Sequence, residues 1–78
     1  MTWSALPRNV QLVALTNMTA LEREVFVFEL GGKGRRYTAQ TLQISESYVK
    51  SLRNSAWAKI GRALLLEAMS MPSDGSVE

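Results

Sequence analysis

The sequence predicts an all-α fold, a small bundle of four to five helices that ends in a long one. Three observations carry that expectation. Val49, Leu52, Ala56, Ile60 and Ala63 recur at steps of three and four, which makes one apolar stripe about 100° or more wide on a helix. Thr19 followed by Glu22 is a capping-box pattern that opens another helix. Nowhere is there a sustained alternation of apolar and polar residues, the mark of a half-buried strand. The 78 residues suffice for one small domain. It is expected over residues 1–71, with 72–78 a disordered tail in which proline stops the helix and the remainder is too polar to pack.

Taken in order, Trp3 and Leu6 form an apolar pair near a loose start, where they are expected to cover neighbouring surface. Pro7 suits the first turn of a helix, where its missing N–H costs nothing. Val10, Leu12, Val13 and Leu15 suggest that this helix ends near Leu15, and Thr16 to Thr19 reads as a connection. The second helix runs from about Ala20 to Leu30. Leu21, Val25 and Phe28 face inward, Phe26 is a further candidate, and Glu22, Arg23, Glu24 and Glu29 lie outside. Gly31-Gly32-Lys33-Gly34 ends it, because glycine takes the left-handed conformation that satisfies the last carbonyls. This run is not a phosphate loop: the spacing is wrong and no Lys-Ser or Lys-Thr pair opens the next helix.

Arg35 to Leu42 is a short third helix with Ala39 and Leu42 inward, followed by a tight turn at Gln43-Ile44. Ser45 caps the fourth helix, and Glu46 stands where the helix dipole favours a negative charge. This helix either bends at Gly61 or continues to about Met69. Two short helices joined by a turn of about three to four residues, the second one capped, describe a helix-turn-helix. Ala39 lets the third helix cross close over the fourth, and Val49 fills the gap beside it.

The chain has no cysteine and no histidine, which excludes disulfides, thiol or imidazole metal sites and Cys or His catalysis. No paired inward carboxylates or nucleophile–base set can be assembled, so an enzyme is not expected, and no cofactor is expected either. The longest aliphatic run, Ala63-Leu64-Leu65-Leu66, is far too short for a membrane span. With no signal-peptide pattern at the start, the expected location is the cytoplasm. The net charge of +2 hides an asymmetry. From Lys33 to Arg62 seven cations face Glu46 alone, whereas the remainder holds two cations and six acids. A basic half on an acidic body suggests a polyanion-binding face.

Opposite the apolar stripe of the fourth helix fall Glu46, Ser47, Lys50, Arg53 and Asn54. A helix held by its apolar back, with such a front, can lie in the DNA major groove and read base edges. The stretch from Glu22 to Gly61 resembles the DNA-binding domain of LuxR/GerE-type regulators and region 4 of bacterial sigma factors. The residues that carry the resemblance are Glu22-Arg23-Glu24-Val25-Phe26, Gly32, Ala39, Leu42, Ile44-Ser45-Glu46, Val49-Lys50-Ser51 and Lys59-Ile60-Gly61, collinear and without a gap. The resemblance implies a wingless four-helix fold and a recognition helix starting at Glu46. It also implies DNA contacts from Lys50, Ser51, Arg53 and Asn54, and backbone contacts around Arg35 and Arg36. The chain departs from the pattern at Tyr37, Thr38 and Leu52. Arg62 to Met69 follows Gly61 directly, which is closer to the sigma factors. A stand-alone module without a receiver or ligand-binding domain, controlled by its abundance or by a partner, is expected.

A second stripe, Trp57, Gly61, Leu64, Leu65 and Ala68, follows helical spacing on another side of the same helix. A helix that is apolar on two sides is expected to be buried twice. One reading is an interface in a two-fold homodimer that spans two half-sites on double-stranded DNA. The other is intramolecular, with Trp3, Leu6 and the first helix covering Trp57 and Leu64. Three functions compete: a sequence-specific transcriptional regulator, a sigma-region-4-like factor whose main partner is RNA polymerase, and a DNA-packaging protein.

Overall fold

The computed structural model describes residues 2–70, and the expected tail over 72–78 lies outside them. A 3-10 turn at Trp3–Ala5 leads into four α-helices: α1 (Arg8–Asn17), α2 (Ala20–Leu30), α3 (Arg35–Leu42) and α4 (Glu46–Ser70). No strand occurs among the described residues.

Pro7 stands one residue outside α1, as its N-cap, and its carbonyl accepts from Gln11 N–H at 3.0 Å. The helix runs two residues past Leu15. Its buried line is Val10, Ala14 and, at the cap, Met18, three positions a turn apart. Leu12 and Val13 are exposed: Leu12 falls on the far side of the wheel from that line, and Val13 lies at its edge. The Arg23 guanidinium, placed by α2, donates to the carbonyls of Leu15 at 3.0 Å and Met18 at 3.3 Å. It thereby adds to the Met18 N–H as a second donor at the Leu15 carbonyl and supplies one to the Met18 carbonyl at the end of α1.

The capping box of α2 is formed in both directions. Glu22 N–H donates to Thr19 Oγ1 at 3.1 Å, and Thr19 N–H donates to the Glu22 carboxylate at 2.8 Å. At the other end Gly32, with φ 77°, ends the helix. Gly32 N–H bonds the Glu29 carbonyl and Lys33 N–H the Phe28 carbonyl, each at 3.0 Å, the two bonds of a Schellman motif. Thr38 is buried and donates to the Gly34 carbonyl at 3.0 Å, while Tyr37 is exposed and lies edge-on to Phe28. Thus α3 packs through Thr38 and Ala39.

Between α3 and α4 the chain turns through Gln43, whose φ of 60° makes it the one non-glycine residue in the left-handed region among those described. Ile44 N–H reaches back to the Ala39 carbonyl at 3.0 Å. Ser45 Oγ accepts from Tyr48 N–H at 3.0 Å and so caps α4. The helix then continues through Gly61 without ending, about 37 Å of rod at 1.5 Å per residue.

Both apolar clusters of the fold are built on α4. Ala56, Ile60 and Ala63 meet Val10, Ala14 and Met18 around the fully buried ring of Phe26, and Trp3 and Trp57 lie edge-on to that ring at 4.9 and 5.3 Å. Val49 and Leu52 meet Val25 and Ala39 in the second cluster, with Leu21, Leu42 and Ile44 at its edge. Consecutive residues of α2, Val25 and Phe26, therefore serve different clusters.

An L-residue in the left-handed region costs about 1–2 kcal/mol, part of which glycine returns as chain entropy. Gln43→Gly is therefore expected to stabilise the fold by about 0.5–1 kcal/mol, read as a higher urea midpoint at unchanged slope. Gln43→Val should lower the midpoint.

Candidate nucleic-acid interface

The orientation of the exposed face of α4 depends on how the helix is held, and α2 holds it at two places. Glu22 is buried, where the sequence reading had placed it outside. Its capping role accounts for the difference: the side chain turns back toward Thr19 and lands against α4. There its carboxylate accepts from Ser55 Oγ at 2.5 Å and Lys59 Nζ at 2.6 Å. Burial alone pushes this carboxyl group's pKa up. Hydrogen bonds from Lys59, Ser55 and the Thr19 N–H, with the Lys59 charge, outweigh burial and hold it at about 2 instead of 4.5. Two turns along α2, Glu29 pairs with Arg53 Nη1 at 3.2 Å, and both side chains are about one-third exposed (32% and 29%).

With its back and sides so fixed, α4 turns Ser47, Lys50, Ser51 and Asn54 to solvent. At about 100° per residue Ser47 and Asn54 lie within about 20° of each other, and Lys50 within about 40° of Asn54. These four form the front of the first half of the helix. Glu46 and Arg53 do not belong to that front. Each is on the flank and already paired, Glu46 with Arg35 Nε at 3.4 Å and Arg53 with Glu29. Arg53, expected among the DNA contacts, is here turned back onto Glu29. The pair at Glu46 is half-exposed and contributes little to stability, but it places the first turn of α3 beside the first turn of α4. Arg35 and Arg36 are both exposed there. The α3 N-terminus is capped by Gly34 with no side-chain hydrogen bond. Its positive dipole end is thus flanked by Lys33, Arg35 and Arg36. Lys33 Nζ sits 5.2 Å from the Tyr37 ring centroid.

The second stripe divides. Trp57 and Leu64 are partly buried against the Phe26 cluster, while Gly61, Leu65 and Ala68 are exposed. Leu66 and Met69 join the exposed set, with Leu65 at 59% and Met69 at 71%. The intramolecular cover expected from Trp3, Leu6 and α1 accounts for the first two residues and not for the others. No helix among the described residues is long and apolar enough to cross a membrane.

Glu22, Ser55 and Lys59 were missed as a constellation. Glu22 and Lys59 both stand among the residues that carry the family resemblance, but only the fold brings them together. Comparison with protein-family models, curated proteins and solved structures finds no match to this chain.

The folded carboxyl of Glu22 titrates below its unfolded value, so its contribution is complete above about pH 5 and is lost as pH falls toward about 2. Its size is on the order of 3 kcal/mol. Glu22→Gln should therefore be less stable than the parent at neutral pH by about that amount. The gap should close on acidification, as read by urea unfolding at a series of pH values.

Proposed function

We propose that the chain is a sequence-specific DNA-binding regulator of transcription, a helix-turn-helix module acting on double-stranded DNA in the cytoplasm. The observation that carries this reading is the exposed set of Lys50 and Asn54, with Ser47 and Ser51, on a helix fixed from behind and bordered by Arg35 and Arg36. Asparagine matches the N6 and N7 edge of adenine in the major groove, and lysine the O6 and N7 acceptors of guanine. Arg35, Arg36 and the α3 N-terminus suit phosphates, which position the reading helix without specifying sequence. The proposal involves no chemical step and no cofactor.

The exposed strip of Gly61, Leu65, Ala68 and Met69 supports a second element, self-association of two copies through the distal half of α4. Gly61 has open space where a Cβ would stand, which leaves room for a neighbour's side chain. Such a pair would read two half-sites about one helical turn apart.

Selection of bound fragments from random DNA tests the main reading, because it reports sequence, symmetry and spacing together. With about five phosphates neutralised, log K should fall with a slope of about −4 to −5 against log salt. Lys50→Ala and Asn54→Ala should change the selected sequence, at a cost of about 1–3 kcal/mol at the affected base pair. Arg35→Ala should weaken all sequences alike and lower the slope by about 1. Salt-sensitive binding blind to sequence would favour DNA packaging instead, and co-purification of RNA polymerase without DNA binding would favour the sigma-like role. For the pair, Leu65→Glu should sediment as a monomer where the parent sediments as a dimer on its DNA. A parent that remains monomeric there ends the dimer.

A further inference from the structure

The pair between Glu29 and Arg53 joins two residues with opposite relations to a polyanion. Arg53 follows directly on Leu52 of the buried stripe and precedes Asn54 of the exposed front, about 100° from the latter. Its guanidinium is on a flexible stem long enough to reach either side of that boundary. The structure has it turned back, donating one hydrogen bond to Glu29 at 3.2 Å. The contact is single rather than forked, and about one-third of each side chain remains in solvent. A pair of this kind has a modest net energy, and a phosphate oxygen can compete with it. If Arg53 left for a phosphate, however, the Glu29 carboxylate would stand unpaired beside the duplex, and that repulsion would offset part of the gain.

We infer that Glu29 is a determinant of DNA affinity, acting through Arg53 as a latch that withholds one cation of α4 from the phosphate backbone. The inference rests on the DNA-binding reading above. Glu29 is a positioning residue and touches no base. Opening the latch adds one phosphate contact, so it changes the salt dependence of binding and not only its strength. Removing a carboxylate anywhere near the duplex would strengthen binding through charge alone. Glu24 provides the comparison: it lies on the same helix, is exposed, and is unpaired among the described residues.

The test is anisotropy titration of a random-sequence duplex of about 30 base pairs, long enough for a full site, at several salt concentrations. Parent, Glu29→Gln, Glu24→Gln, Arg53→Ala and the Glu29→Gln/Arg53→Ala double variant are compared. Glu29→Gln should steepen the log K against log salt slope by about 0.9 and tighten binding about fivefold to tenfold near 0.1 M salt. Glu24→Gln, with the same change of charge, should leave the slope at the parent's value. Arg53→Ala should cost little in the parent and abolish the whole gain in the double variant. An unchanged slope in Glu29→Gln overturns the latch, as does a gain that survives loss of Arg53. Weaker binding by Glu29→Gln does so too, because Glu29 would then merely support α4. A parent that binds no duplex removes the DNA-binding reading and the latch together. A parent that binds, with Glu29→Gln sharing its slope, removes the latch alone.

Discussion

The carboxylate of Glu22 joins the start of α2 to the middle of α4. One oxygen accepts the Thr19 N–H and the Lys59 ammonium, and the other accepts the Ser55 hydroxyl. A buried charge without partners would cost several kcal/mol, so the side chain is stable only when α2 is capped and α4 is docked in register. The helix start, the helix crossing and the ionised state are therefore one condition rather than three. No buried side-chain nitrogen or oxygen among the described residues lacks a partner, which is what a polar group so placed requires.

From that junction α4 runs in both directions over separate apolar clusters. Toward its start it rests on Val25 and Ala39, and beyond the junction on α1 and Phe26. Support from two clusters explains how a 25-residue helix with an exposed glycine stays unbroken. It also separates the surface of the helix into a polar front, backed by α3, and an apolar distal end that α1 leaves open. The front owes its orientation to packing behind it, since Lys50 and Asn54 make no side-chain hydrogen bond or ion pair among the described residues.

Much of this could be read from the residues. Helix ends announce themselves through short-range chemistry: Thr19 with Glu22 and Ser45 with Tyr48 N–H at two starts, and the glycines after Leu30 at one finish, all act within a few positions of each other. The stripe from Val49 to Ala63 was visible because 3.6-residue periodicity needs no partner to be recognised, and all five of its residues are buried. What escaped depends on direction across space. Glu22 and Glu29 look like solvated acids on a helix exterior until α4 is laid beside them. Val10 looks no different from Leu12 and Val13 until the line Val10–Ala14–Met18 is laid against the core. Arg53 has the composition of a reading residue and the position of a flank residue, a distinction made by one step of 100° that only the carboxylate opposite resolves.

Both tryptophans stand edge-on to the same phenylalanine, one from the N-terminal turn and one from α4. Both tyrosines, Tyr37 and Tyr48, lie on the half-exposed surface of α3 and the beginning of α4. The indoles thus belong to the Phe26 cluster, and the phenols lie outside both clusters. Indole emission reports loosening around Phe26, where the middle of α4 packs, whereas the phenols report the exposed surface of α3 and the start of α4. Whether the two halves come apart in one step is a question the chain's own chromophores can answer without any label.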